Sequence, residues 1–496
     1  MTLGEGILMF QKLLIAVPVV FLLIIASILI FRTLTYPVPK ITETVKTNKY
    51  SVPKENLTDR LIGGLKIQTI SSKDPSEAQK VEYEAFLNYL EDSYPSIFGN
   101  EQFDIQKIDD FALIIRWRSE FPENEPVLFT GHYDVVGVAE NTISDWKYPA
   151  FSATVEDGKI YSRGTLDDKS SVFAHLEALD YLVNSDYHPQ RDIVYAFSYN
   201  EEVGGKGADT IARVLSIQNP KFFMVLDEGG RVLTDSKTPH AFIGVSEKGR
   251  AVVKITVKQK GGHASQPPKS TSVTKLAELI YTFNKHPMQA KLIPQTVDFL
   301  TRMYNEYDFF TKMLIANRDI LEPLLFWKLS QNPQDNARIR TTMAQTIIHG
   351  SDTINIIPEY AELTADFRIL PTQSYKDIEE YIYATANFVL KGNDFSVERI
   401  STVQPSHVSQ TDTKAFKILR SQILSSFPEV KVLPFMVLAG TDARCYEVLS
   451  DNVYRFLPIA ITQQELDLMH GVNEYISIEN FETMTDFYAN LIRNNF

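Results

Sequence analysis

Cysteine is all but missing: Cys445 stands alone in 496 residues. One thiol excludes an internal disulfide framework and any cysteine-rich zinc site. Excess positive charge is missing too. The formal net charge is −13 and Lys and Arg form no basic stripe. That argues against nucleic acid as a partner, because phosphate binding needs clustered cations. Internal repeats and long low-complexity segments are also lacking. What remains, 44% hydrophobic and 22% charged residues, is ordinary for a globular chain. The length allows two or three domains with a large core.

One long uncharged run stands at the start. Leu13–Phe31 lies between Lys12 and Arg32, and at ~1.5 Å per residue it spans roughly the ~30 Å hydrocarbon core of a bilayer. It exceeds the ~7–15-residue core of a signal peptide, and no small-x-small cleavage site precedes Arg32. A single-pass anchor over 13–31 is expected, after a short tail over 1–12, with a cleaved signal as the alternative. Flanking charge leaves the orientation open; a membrane protein with its globular part on the non-cytoplasmic side is the expectation. Residues 32–56, with Pro37, Pro39 and Pro53, read as a linker.

From about Leu57 the pattern becomes α/β. Val81–Tyr94 has apolar residues at helical spacing, and Phe111–Trp117 reads as a strand. Several apolar runs then finish in residues that bear chemistry. Pro126–Thr130 leads through Gly131 into His132-Tyr133-Asp134, where residues two apart in a strand share a face. Imidazole is a favoured zinc ligand, and a nearby carboxylate can orient it. Lys159–Tyr161 leads to Gly164 and the paired Asp167-Asp168, before an amphipathic run over Val172–Leu182. Alone, that pair reads first as a solvated turn with a helix N-cap. Arg191–Tyr199 ends in Asn200-Glu201-Glu202, where one glutamate can bind metal and its neighbour hold a water as general base. Phe222–Leu226 ends in Asp227-Glu228-Gly229-Gly230. Parallel strands would gather these ends at one sheet edge, where open α/β sheets bind their ligands.

The stretches GHYDVV, SRGTLDDKSS, NEEVGG and LDEGG, with the late Met469-His470-Gly471, resemble the dinuclear-zinc aminoacylase/carboxypeptidase S family. Order and spacing match from about Leu57 to the C-terminus; Ser162 departs where the family often has glycine. Val245–Gly249, Gly262–Pro268, Asn336–Thr342, Phe456–Pro458 and His470–Glu474 bring the chain nearest to the N-fatty-acyl-amino-acid synthase/hydrolase branch.

The resemblance implies an α/β zinc-peptidase fold with a central mixed sheet flanked by helices. It places the catalytic domain at 57–248 and 405–496, with an inserted smaller α/β lid of the dimerisation type at 249–404. Two Zn2+ ions per subunit are implied: His132 and Asp227 on one, Glu202 and His470 on the other, Asp167 bridging. Asp134 would orient His132, Glu201 would be the general base, and His263 would stabilise the tetrahedral oxyanion from the same chain or a dimer partner. A cis peptide at Asp167-Asp168 is implied as well. Asn355, Arg368, Gly440, Thr441 and Arg444 match substrate-proximal positions, with Arg368 suited to a forked pair with a substrate carboxylate. Expected substrates are small: N-acyl amino acids, first of all N-fatty-acyl ones, hydrolysed or reversibly condensed. The alternatives are a carboxypeptidase or dipeptidase, and a non-catalytic membrane-anchored binding protein. The chain would be a monomer or homodimer that meets membrane lipid through its N-terminal helix. Within His286–Asn336, Phe309, Phe310, Phe326 and Trp327 belong either to a helical core or to an apolar wall that receives an acyl chain or rests on a bilayer.

Overall fold

The computed structural model describes residues 3–39, 48–219, 221–236, 238–390 and 394–496. They divide into two compact units, Met1–Thr42 with Ala251–Ser401, and Glu43–Arg250 with Thr402–Phe496.

The larger unit is built on a ten-stranded mixed sheet. Four neighbouring strands, Ile193–Ser198, Val127–His132, Met224–Asp227 and Val453–Arg455, run parallel. Antiparallel strands Ala112–Trp117 and Phe103–Ile108 extend one side. On the other side His240–Glu247 lies antiparallel to Val453–Arg455 and pairs with Lys431–Val437 in parallel. The parallel strands are buried along their whole length. Burial on both faces explains why they read as unbroken apolar runs rather than alternating ones. Helix Lys169–Asn184 is buried over most of its length and packs on the C-terminal helix Ile478–Asn495. Glu77–Ser93 forms the early helix, and Ser76 and Gln79 close its first turn as a capping box.

Two glycines are set by what approaches them. A Cβ on Gly131 would stand 2.7 Å from Asp168 Oδ2, and Gly164 turns with φ +82° against Val135. The Asp167-Asp168 peptide bond is cis.

In the smaller unit a four-stranded sheet runs in the order Thr342–His349, Tyr360–Ile369, Gly249–Lys258, Phe395–Val403. Its two central strands alternate strictly between buried and less buried residues. The buried set, including Val253, Ile255, Leu363 and Phe367, packs with Leu276, Leu279, Ile378 and Ile382 of two helices. The stretch from His286, inserted between strands of this sheet, folds as helices Pro294–Arg302, Phe309–Ala316, Arg318–Leu329 and Pro333–Ile339. Phe299, Leu300 and Leu325 are buried, Phe326 is half-buried, and Phe309, Phe310, Leu324 and Trp327 are exposed.

The N-terminal helix runs from Leu3 to Leu34. Within it Val17–Leu34 has mean hydropathy 2.5 and is long and apolar enough to cross a membrane or to act as a signal sequence. The stretch expected as a linker makes contacts at both ends. Tyr36 stacks on Tyr304 at 4.5 Å in the smaller unit. In the larger unit the backbone N–H groups of Tyr50 and Val52 donate to Asn490 and Asp486 of the C-terminal helix. Paired side chains, invisible in a Pro-rich composition, pin these segments; 40–47 lie outside the described residues.

Candidate metal centre and active site

The parallel strands of the larger unit deliver their carboxyl ends side by side. His132 closes one strand, Glu201 and Glu202 follow Ser198 in a 3-10 turn, and Asp227-Glu228 end a third. Asp167 comes from the loop before the buried helix, and His470 from a turn near the C-terminus with φ +61°.

Asp167 is the centre of this cluster. Its Oδ1 lies 2.9 Å from His132 Nε2 and its Oδ2 lies 3.0 Å from His470 Nε2. Glu202 Oε1 stands 3.1 Å from the same His470 nitrogen, and Glu228 Oε1 3.8 Å from His132 Nε2. One ligand atom each from His132, Asp167 and Glu202 falls within 4.8 Å of the others. The pattern is two half-sites, His132 with Glu228 and His470 with Glu202, joined by one carboxylate. Imidazole nitrogen and carboxylate oxygen are donors of a divalent cation such as zinc, so the residues fit the metal that the resemblance implies.

Their supports explain why the side chains hold these positions. Asp134 accepts from the backbone N–H of Glu201 at 3.1 Å and of Glu202 at 3.2 Å, while its Oδ1 stands 3.3 Å from His132 Nδ1. The Asp134 carbonyl lies closer still to His132 Nδ1, at 3.0 Å, so this one residue sets both the imidazole and the double-glutamate turn. Burial works against a charged His132, yet Asp134 and Asp167 on either side hold the imidazole well above its ordinary range. Those carboxylates attract a dication as they attract a proton. Glu201 is pushed well above the usual carboxylate range by burial first, then by Asp442, Asp167 and Asp134, with His132 acting oppositely. A raised carboxyl beside the cluster suits a general base.

Asp227 is placed differently from expectation. Its Oδ1 accepts from Thr130 Oγ1 at 2.6 Å, and its Oδ2 lies 2.9 Å from Thr441 Oγ1. Glu228, the next residue, supplies the carboxylate at His132. The sequence reading took Asp227 for this position; the adjacent acids of the Asp-Glu doublet face different partners. Thr441, expected near substrate, is held by buried carboxylates. It is 3% exposed, its N–H donates to Glu247, and its hydroxyl lies 2.8 Å from Glu247 Oε1. Glu247 in turn pairs with the fully buried Arg455 at 2.7 Å. Arg444 folds back toward Gly440 and lies within electrostatic reach of Glu247, Asp442 and Glu201.

A second buried pair went unassigned at the sequence level. Arg163 binds Glu474, and its other terminal nitrogen donates to the carbonyls of His470 and Gly471. Glu474 also accepts from the Leu166 N–H at 2.8 Å. This pair ties the His470 turn to the Asp167 loop. Burial pushes the Glu474 carboxyl up to about 7 against the pull of Arg163.

His263, Asn355 and Arg368 belong to the smaller unit. His263 is exposed and pairs with Ile356 in a short ladder, and the Ala264 N–H donates to the Asn355 carbonyl, so these two positions are neighbours. Arg368 Nε donates to Asp366 at 3.1 Å.

A mixed sheet that brings two imidazoles and several carboxylates to the end of its parallel strands defines an α/β metallohydrolase. The chain belongs to the peptidase family M20/M25/M40, which it matches over residues 128–494. Probable carboxypeptidase S-like 2 of Dictyostelium discoideum is 33% identical over 450 residues, 88% of this chain and 85% of that one. The N-fatty-acyl-amino acid synthase/hydrolase of Homo sapiens is 33% identical over 446 residues, 88% and 87% of the two chains. Among solved structures, an M20 family metallo-carboxypeptidase from Sulfolobus solfataricus superposes with TM-score 0.64 at 18% identity, over 88% of this chain and 98% of that one. Human carnosine dipeptidase 1 gives TM-score 0.64 at 16% identity, over 89% and 96%. At such identities the likeness is one of fold. The protein is an enzyme of the metallohydrolase class, and its family implies a divalent metal, typically zinc.

Proposed function

We propose that the protein hydrolyses, and in reverse can form, the amide bond of N-fatty-acyl amino acids. The observation that carries the chemistry is Asp167, whose two oxygens face two imidazoles while Glu201 sits in the same field. His132 and Glu228 would hold one zinc ion, His470 and Glu202 a second, with Asp167 shared. When bound, such ions supply a Lewis acid for the amide carbonyl and lower the pKa of water. Glu201 takes the proton of the attacking water on its carboxylate and returns it to the leaving nitrogen. Asp134 keeps His132 and the Glu201-Glu202 turn in register through that exchange. The smaller unit is proposed to act as a lid in which His263 donates to the developing oxyanion, with Asn355, Arg368 and Arg444 as further substrate contacts. The N-terminal helix is proposed as a single-pass anchor.

The acyl-amino-acid reading is supported by similarity across 88% of the chain to a human enzyme named for that activity. Equal identity to a carboxypeptidase S-like protein supports peptide hydrolysis as the second reading. Zinc-loaded protein offered N-oleoyl-phenylalanine, N-acetyl amino acids and a dipeptide, with mass-spectrometric detection, separates them. Preferential cleavage of the oleoyl amide is expected. Glu201→Gln should lower kcat by ~10²–10⁴-fold, the usual worth of a positioned base, with metal content unchanged. Preference for the dipeptide would overturn the acyl reading.

A further inference from the structure

We infer that the helical insert of the smaller unit is a membrane-seated collar, whose exposed apolar side chains Ile320, Leu324 and Trp327 lie in the lipid interface. The inference rests on the anchor reading of the N-terminal helix and adds a second lipid contact to it.

The helix and the insert are fastened together by specific groups. Asn317 Nδ2 donates to the Leu29 carbonyl at 3.2 Å and to Thr33 Oγ1 at 3.4 Å. The Tyr304 hydroxyl donates to the Thr33 carbonyl at 2.7 Å. Arg32 makes a two-pronged pair with Asp319 at 2.7 and 3.1 Å. Arg318 donates to the Tyr36 hydroxyl at 2.9 Å. Asn317 and Thr33 are buried by these contacts.

This attachment fixes depth. Val17–Leu34 is only 6% buried within the protein, so its apolar surface needs lipid around it rather than protein. Leu29 lies inside the uncharged run that ends at Phe31. The residue touching it, Asn317, joins the helices Phe309–Ala316 and Arg318–Leu329. That junction therefore stands beside the last turns of the span, at the level where hydrocarbon meets headgroups, with the Arg32–Asp319 pair marking the hydrated side. Directly after it come Ile320 at 60%, Leu324 at 48% and Trp327 at 57% exposure. Tryptophan favours this zone because its ring is apolar and its N–H polar. Ile320 follows the Arg32–Asp319 pair directly and so meets whatever surrounds the end of the span, which for a spanning helix is lipid; beyond a kink at Leu321 the same helix carries Leu324 and Trp327. An N-fatty-acyl amino acid, with an apolar tail and a carboxylate, partitions into the same layer.

The full-length chain reconstituted in phosphatidylcholine vesicles tests this. It has three tryptophans; Trp117 and Trp146 belong to the larger unit, and Trp117 is 1% exposed. The difference in emission between wild type and Trp327→Phe isolates Trp327. Acyl chains brominated near the headgroup should remove most of that difference, chains brominated near the terminal methyl less, and aqueous iodide little. Resistance to alkaline extraction, read in parallel, reports whether the N-terminal helix is inserted. An inserted protein whose Trp327 is quenched by iodide and not by bromolipid overturns the collar and leaves the anchor standing. A protein extracted at alkaline pH overturns both.

Discussion

Replacing Asp227 by Asn and Glu228 by Gln, one at a time, separates two adjacent carboxylates by their work. Around Asp227 the hydrogen-bond geometry sets the expected cost. Thr441 Oγ1 lies within 2.9 Å of Asp227 Oδ2 and 2.8 Å of Glu247 Oε1, yet carries one proton for two carboxylates. An Asn with its amide nitrogen toward Thr441 supplies a proton there and frees the hydroxyl for Glu247. On the other side Thr130 exchanges a charged acceptor for a neutral one, a loss of about 1 kcal/mol. The two effects offset, so Asp227→Asn should keep stability within about 1 kcal/mol and metal affinity within about ten-fold, the mild end for outer partners of metal ligands. Glu228→Gln retains size and removes a charged donor 3.8 Å from His132 Nε2. Its metal affinity should fall beyond the ~100-fold that outer partners reach. Metal content by mass spectrometry, after dialysis against graded chelator, reads both variants on one scale. If Asp227→Asn is stripped of metal at chelator levels where Glu228→Gln remains loaded, the assignment is reversed and the reasoning fails.

Arg163→Met should cost about 3–5 kcal/mol in denaturant unfolding, because Glu474 is left buried without its partner; a loss as small as that of an exposed ion pair would refute the clamp. It should also weaken metal binding through the His470 turn, whose carbonyls lose two donors. A pH-dependent prediction concerns His175, stacked 3.7 Å from Tyr488 and pushed down to about 3 by burial. The unfolded chain takes up this proton near pH 6.5 and the folded chain does not. His175 therefore leaves stability intact above pH 6.5 and removes it as pH falls toward 3, by ~2 kcal/mol at pH 5. Unfolding free energies of wild type and His175→Phe should diverge by that amount between pH 7 and 5; parallel curves would refute it.

Much of the site was legible along the chain because its parts are local. An apolar run ending in His132, or in Glu201-Glu202, is a strand end whatever surrounds it, and parallel pairing of buried strands brings such ends together. The uncharged stretch through Phe31 was legible for the same reason, since hydrocarbon length is counted in consecutive residues. Choices between neighbours were not. Asp227 and Glu228 are chemically alike, and which one turns to His132 is decided by Thr130 and Thr441, distant in the chain and adjacent only once the sheet forms. The Arg163–Glu474 clamp joins residues 311 positions apart. The same holds for the first helix, whose composition shows where it is apolar but not that Asn317 and Tyr304 grip its end. Local spacing determines what a segment can offer. Contacts across hundreds of residues decide which offer is taken, because only packing chooses between groups of equal intrinsic preference.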